Sequence, residues 1–214
     1  MAIGNYSQLK QAVLNWTART ASASFTARVP EFIAAAETRI FYGGSEPMAT
    51  RPVRCRDMET SADITITDDS GPLPTGWLEF KRVYWSDSPN VRLEFFPPRQ
   101  FWVQDDTGGT TPYRYTIEGT YIHVKPGGDG TLKATYWEKY DALSADADTN
   151  WLLTNAPNVY LHAALIEAYQ YLRMPDQQTN ALAAYTSAAN AITAQSTDSR
   201  LSGEKLRVRS TMWS

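Results

Sequence analysis

Between Thr149 and Leu172 the chain reads TNWLLTNAPNVYLHAALIEAYQYL, and no other stretch limits the fold as much. A polar turn leads in, Pro157 stands beside Asn155 at a natural helix start, and Val159, Tyr160, Leu161, Leu165, Ile166, Tyr169 and Leu172 follow. At helical spacing these side chains point in almost every direction. A surface helix of a soluble domain carries one apolar stripe, so this helix has to be enclosed by other protein on most sides. The expectation is a helical bundle or an assembly of chains.

The flanking sequence divides by periodicity. Residues 5–18 read as a first helix, with Ser7 as its cap and Leu9, Val13 and Trp16 along one face. A second helix is expected to start at Pro30 and to carry Phe32, Ile33, Ala36, Ile40 and Phe41 until Gly43-Gly44 ends it. From Arg54 the pattern changes to short runs rich in Val, Ile, Thr, Tyr and Trp, punctuated by Pro, Gly and Asp. Strands are expected at 64–67, 79–85, 91–95, 113–117, 121–125 and 131–139. Glu118-Gly119 and Gly127-Gly128-Asp129-Gly130 read as hairpin loops, giving an antiparallel sheet. After the apolar helix, Met174-Pro175-Asp176 is a connector, and a last helix from about Gln177 places Leu182, Tyr185, Ala189 and Ile192 on one stripe. Beyond Gln195 periodicity is lost, in a basic tail that ends near Trp213.

This pattern predicts an α+β fold: a bundle built from N- and C-terminal helices, an inserted antiparallel β module, and an extended C-terminal tail. The expected divisions are 1–50 with 145–195 for the bundle, 51–144 for the β module and 196–214 for the tail. A chain of 214 residues can bury one good core or two small ones. Its net charge of -3 gives no general electrostatic case for gripping nucleic acid, although passing contact with DNA stays open. The lone Cys55 allows no intrachain disulfide and reads as a small buried apolar residue. The N-terminus lacks the pattern of a secretory signal, and no apolar run is long enough to span a membrane, so synthesis in a cytoplasm is expected.

Chemistry-bearing residues do not assemble into a reactive motif. Asp146, Asp148 and Asn150 alternate as at the start of a calcium loop, but Trp151 stands where the loop needs glycine and Pro157 where it needs glutamate. A turn and a helix cap explain them better. The adjacent acids Asp68-Asp69 and Asp105-Asp106 read as solvated loops, and His123 and His162 lack the neighbours of a nucleophile or metal motif. Neither an enzyme nor a cofactor or metal is expected. Trp77, Trp85, Trp102 and Trp137 raise a sugar platform as an alternative, against the commoner use of tryptophan in cores and subunit contacts.

Several short runs, taken in order, resemble one family. They are Ala134-Thr135-Tyr136-Trp137-Glu138-Lys139-Tyr140, Leu143-Ser144, Asn150-Trp151-Leu152-Leu153, Ala156-Pro157, Tyr160-Leu161, Ala164-Leu165 and Glu167-Ala168. Tyr6-Ser7-Gln8-Leu9, Val13, Trp16, Val29-Pro30-Glu31-Phe32-Ile33, Ala36-Glu37, Arg39-Ile40, Leu73-Pro74 and Leu78-Glu79-Phe80-Lys81-Arg82-Val83 fit as well. Over roughly residues 5–194 the chain resembles the head-to-tail adaptor proteins of tailed bacteriophages, including the tail-tubular type of short-tailed phages. The resemblance implies a structural virion protein at the head-tail junction, forming a ring of about twelve copies that joins portal to tail or nozzle protein. It also implies that double-stranded DNA passes through the ring, where lumenal carboxylates repel phosphate. Arg200, Leu201, Lys205, Arg207, Arg209 and Trp213 are the expected portal or subunit contacts, in a tail that orders on docking. The alternative is a tail accessory protein or carbohydrate-binding β module.

Overall fold

The computed structural model describes residues 3–86, 91–103, 109 and 111–201, with side chains described through Ser196. The first elements are α1 (Tyr6–Trp16), α2 (Ala23–Tyr42), a single 3-10 turn (Arg56–Met58), β1 (Glu59–Ile66), β2 (Ser70–Pro72) and β3 (Trp77–Trp85). Then come β4 (Val91–Arg92), β5 (Glu94–Phe95), α3 (Pro98–Val103), β6 (Arg114–Glu118), β7 (Tyr121–Lys125) and β8 (Gly130–Glu138). The chain continues through α4 (Trp151–Asn155), α5 (Pro157–Tyr171) and α6 (Pro175–Leu201). It divides into two compact units, Met1–Arg56 with Ala142–Ser214, and Asp57–Asp141.

In the helical unit α5 is the core. Val159, Tyr160, Leu161, Ala163, Ala164, Leu165, Ile166, Ala168 and Tyr169 are all buried. The neighbours that enclose it are α6, α2, α1 and α4 of the same chain. Each large aliphatic side chain buried here is worth about 1.5–3 kcal/mol. The apolar helix is therefore satisfied within its own bundle and needs no second chain to cover it.

Helix α5 starts at Pro157 and Asn150 caps α4, as the sequence suggested, but other helix starts differ. Asn5, not Ser7, caps α1, its Oδ1 accepting from the Gln8 N–H at 2.9 Å. Helix α2 begins at Ala23 behind Ser22, so Pro30 lies inside it. The first turns hold Phe25 and Val29, 3% and 0% exposed, and that burial offsets the hydrogen bond which proline cannot donate. Asn155 ends α4, its Nδ2 donating to the Trp151 carbonyl at 2.9 Å, and does not start α5. Pro175 is the first residue of α6, behind Arg173 at φ 56°. Helix α6 also runs to Leu201, past residue 196 where the tail was expected to begin.

Among the described residues the β unit holds two four-stranded sheets rather than one, in the orders β1-β8-β3-β4 and β2-β7-β6-β5. All described pairings are antiparallel except β5 with β6. The segment expected as one strand, 91–95, changes sheets: β4 pairs with β3, β5 with β6, and Leu93 between them is 3% exposed. Glu118-Gly119 does close a hairpin, between β6 and β7, with Gly119 at φ 59°. Gly127–Gly130 does not; it carries the chain from β7 in one sheet to β8 in the other. Alternation along the strands turns Ile64, Ile66, Val83, Trp85, Leu132 and Ala134 of one sheet toward Tyr115, Ile122 and Val124 of the other, and these form a shared core.

Candidate functional site

The acidic turn before α4 resolves into structural parts. Asp148 Oδ2 accepts from the Ser144 N–H at 2.8 Å, the Ala145 N–H at 2.7 Å and the Ser144 hydroxyl at 3.1 Å. These bonds, the Ser144 backbone donor foremost, hold its carboxyl below the usual aspartate range. Asn150 Oδ1 caps α4 through the Leu153 N–H at 2.9 Å, and its Nδ2 donates to the Tyr160 hydroxyl at 2.8 Å. Asp146 pairs with Lys10 at 2.6 Å. The carbonyls of Asp148 and Asp146 accept the Tyr6 and Ser7 N–H groups, at 2.9 and 3.1 Å, so the turn also fastens the start of α1. Among the described residues no group of three or more His, Cys, Asp or Glu could hold a metal ion.

A second cluster binds helices to a loop. Arg39 on α2 donates from Nη2 and Nε to Glu167 Oε1 on α5, at 2.7 and 3.1 Å, and from Nη1 to the Met48 carbonyl at 2.8 Å. Glu37, two residues earlier on α2, accepts the Leu143 N–H at 3.0 Å. Beside the loop a groove of about 280 Å³ is lined by Ala49, Thr50, Arg51, Tyr185, Thr186, Ala189 and Asn190. Burial pushes the Tyr185 phenol up to about 12. Sequence reading missed the Arg39–Glu167 pair because its members are 128 positions apart.

The histidines and paired acids also take structural positions. His162 lies edge-on to Trp16 with ring centroids 5.6 Å apart, and burial lowers its pKa. Asp69 accepts the Gly128 N–H, and Asp129 the Asp68 N–H, so these acids tie two loops together. Asp105-Asp106 lies outside the described residues. Of the four platform candidates, Trp85 and Trp137 are buried, Trp77 is half-buried, and Trp102 is 50% exposed. Trp102 Nε1–H donates to Glu118 Oε1 at 2.6 Å, Lys125 Nζ lies 5.1 Å from its ring, and His123 stands edge-on at 5.6 Å. Phe101, 0% exposed, seats the same helix over the buried Arg114 of β6.

Of the expected contact residues, Arg200 and Leu201 form the end of α6. Lys205, Arg207, Arg209 and Trp213 lie outside the described residues. Helices at both chain ends and a β insertion make an α+β protein whose described charged clusters join its elements. The family model described as SU10 adaptor protein matches residues 4–209, and the chain belongs to that family. It is thus a bacteriophage structural protein of the head-to-tail junction. No curated protein matches it.

Proposed function

We propose that this chain assembles into a ring of about twelve copies that joins the portal to the tail or nozzle protein and surrounds the exiting double-stranded DNA. The observation that carries this reading is the match to an adaptor family along nearly the whole sequence. In this reading the helices of 1–50 and 145–195 form the ring body, the β module of 51–144 reaches toward the tail, and 196–214 docks on the portal. In this reading the chain works as the head-to-tail adaptors do, a group that includes the tail-tubular type of short-tailed phages. Between Asp176 and Asp198 no charged side chain occurs, and Ala183, Ala191 and Ala194 on α6 are exposed, which suits helix α6 to close contact with other subunits. Helix α5, buried in its own bundle, does not serve that purpose.

Purified chain mixed with portal rings of the same phage provides the test, read by native mass and imaging. A discrete complex with about twelve added copies on the portal axis is expected from a closed ring. Absence of any complex under assembly conditions sinks the adaptor assignment. It would favour the tail accessory or sugar-binding reading, for which Trp102 is the exposed aromatic among the four platform candidates.

A further inference from the structure

The two sheets of the β unit share one core, so their outer faces point in opposite directions. Helix α3 lies on the outer face of β6, with which it is in contact. It presents Trp102 and Val103, 50% and 79% exposed, while Phe101 anchors it from below. The indole is fixed in place: Glu118 holds its N–H at 2.6 Å and Lys125 Nζ sits 5.1 Å from the ring. Trp102 is therefore a preorganised knob with an acid on one side and a base on the other, the kind of residue that anchors interfaces.

The opposite face carries a matching depression. On the outer side of β1, β8 and β3 a shallow hollow of about 510 Å³ is lined by Ser61, Ala62, Asp63, Tyr84, Lys133, Ala134 and Thr135. Asp63 and Tyr84 are the register partners of Lys133 on its two neighbouring strands. Tyr84 alternates with the buried Val83 and Trp85, so its ring faces the hollow. The hollow thus offers an aromatic floor with one cation and one anion beside it.

We propose that Trp102 of one copy seats in the Tyr84–Lys133 hollow of the next, with Glu118 facing Lys133 and Lys125 facing Asp63. Knob and hollow lie on opposite faces of one unit, so the contact is heterologous. Repeated from copy to copy, such a contact generates a ring when the rotation closes and a filament when it does not. The inference rests on the ring reading above and names one surface that builds it. A second copy is the favoured occupant because both halves of the contact, and both halves of its charge pattern, are carried by the same chain.

The full-length chain provides the test, with self-association followed by sedimentation velocity alone and with portal rings present. Trp102→Ala is expected to raise the concentration needed for association by roughly tenfold or more. Glu118→Lys and Lys133→Glu each shift it in the same direction, and the two together restore much of the loss, an outcome that general misfolding does not produce. Circular dichroism and thermal unfolding of each variant confirm that the fold is kept. If Trp102→Ala associates as the wild type does, or the double reversal is no better than the single changes, this contact is wrong and the ring is built through another surface. If the wild type never associates, with or without portal, the ring reading itself fails.

Discussion

Asn150 shows how much organisation one side chain carries. Its carbonyl oxygen starts α4 and its amide satisfies the Tyr160 hydroxyl, which burial has pushed well above the ordinary tyrosine range. Its role as a cap is legible locally, because a polar residue three positions before a donor N–H is a short-range signal. The bond to Tyr160 is not, because it depends on how α5 packs. His162 gives the residue scale a pH test. Burial lowers its pKa from the ordinary 6.5, so the unfolded chain binds a proton more readily than the folded one. The stability owed to the neutral imidazole is present above pH 6.5 and is lost as pH falls toward the depressed folded value. Urea denaturation across that interval should show a steeper decline for the wild type than for His162→Gln; equal slopes would remove His162 as the cause.

At the scale of elements, burial overrides local propensity. Pro30 reads as a helix start, yet α2 begins at Ala23 because Phe25 and Val29 bury themselves. Phe25 and Phe32 then pack at a tilt against each other and Tyr171 at the end of α5, with centroids between 5.5 and 6.1 Å apart. Strand β2 has the opposite character, a run of three residues with no period to detect. It exists because Gly71 lets its backbone pass close over β1: a Cβ there would lie 2.5 Å from the Thr65 carbonyl oxygen and 2.8 Å from Ile66 Cδ1. Gly71→Ala should therefore destabilise the protein by about 1–3 kcal/mol as the chain shifts to relieve the overlap. A wild-type midpoint in chemical denaturation would show that β2 lifts away at no cost.

For the whole molecule, the proposed docking on the portal has its test in residues 202–214. Truncation after Leu201 keeps every residue of α6 and removes Lys205, Arg207, Arg209 and Trp213. It should weaken binding to portal rings by roughly tenfold or more, with the loss greatest at low salt, if those residues dock there. Undiminished affinity would assign the portal contact to another surface. The α+β class and the place of most strands and helices are written in the residues, since periods of 2 and 3.6, caps and turn residues act over a few positions. That α5 must be enclosed is written there too, because an apolar surface on all sides has no other stable outcome. What encloses α5, which sheet each half of 91–95 joins, and that Trp102 alone of the four platform candidates is exposed, at 50%, follow from the packed fold. Those outcomes depend on pairings between distant segments, such as Arg39 with Glu167, and a chain read a few residues at a time carries no record of them.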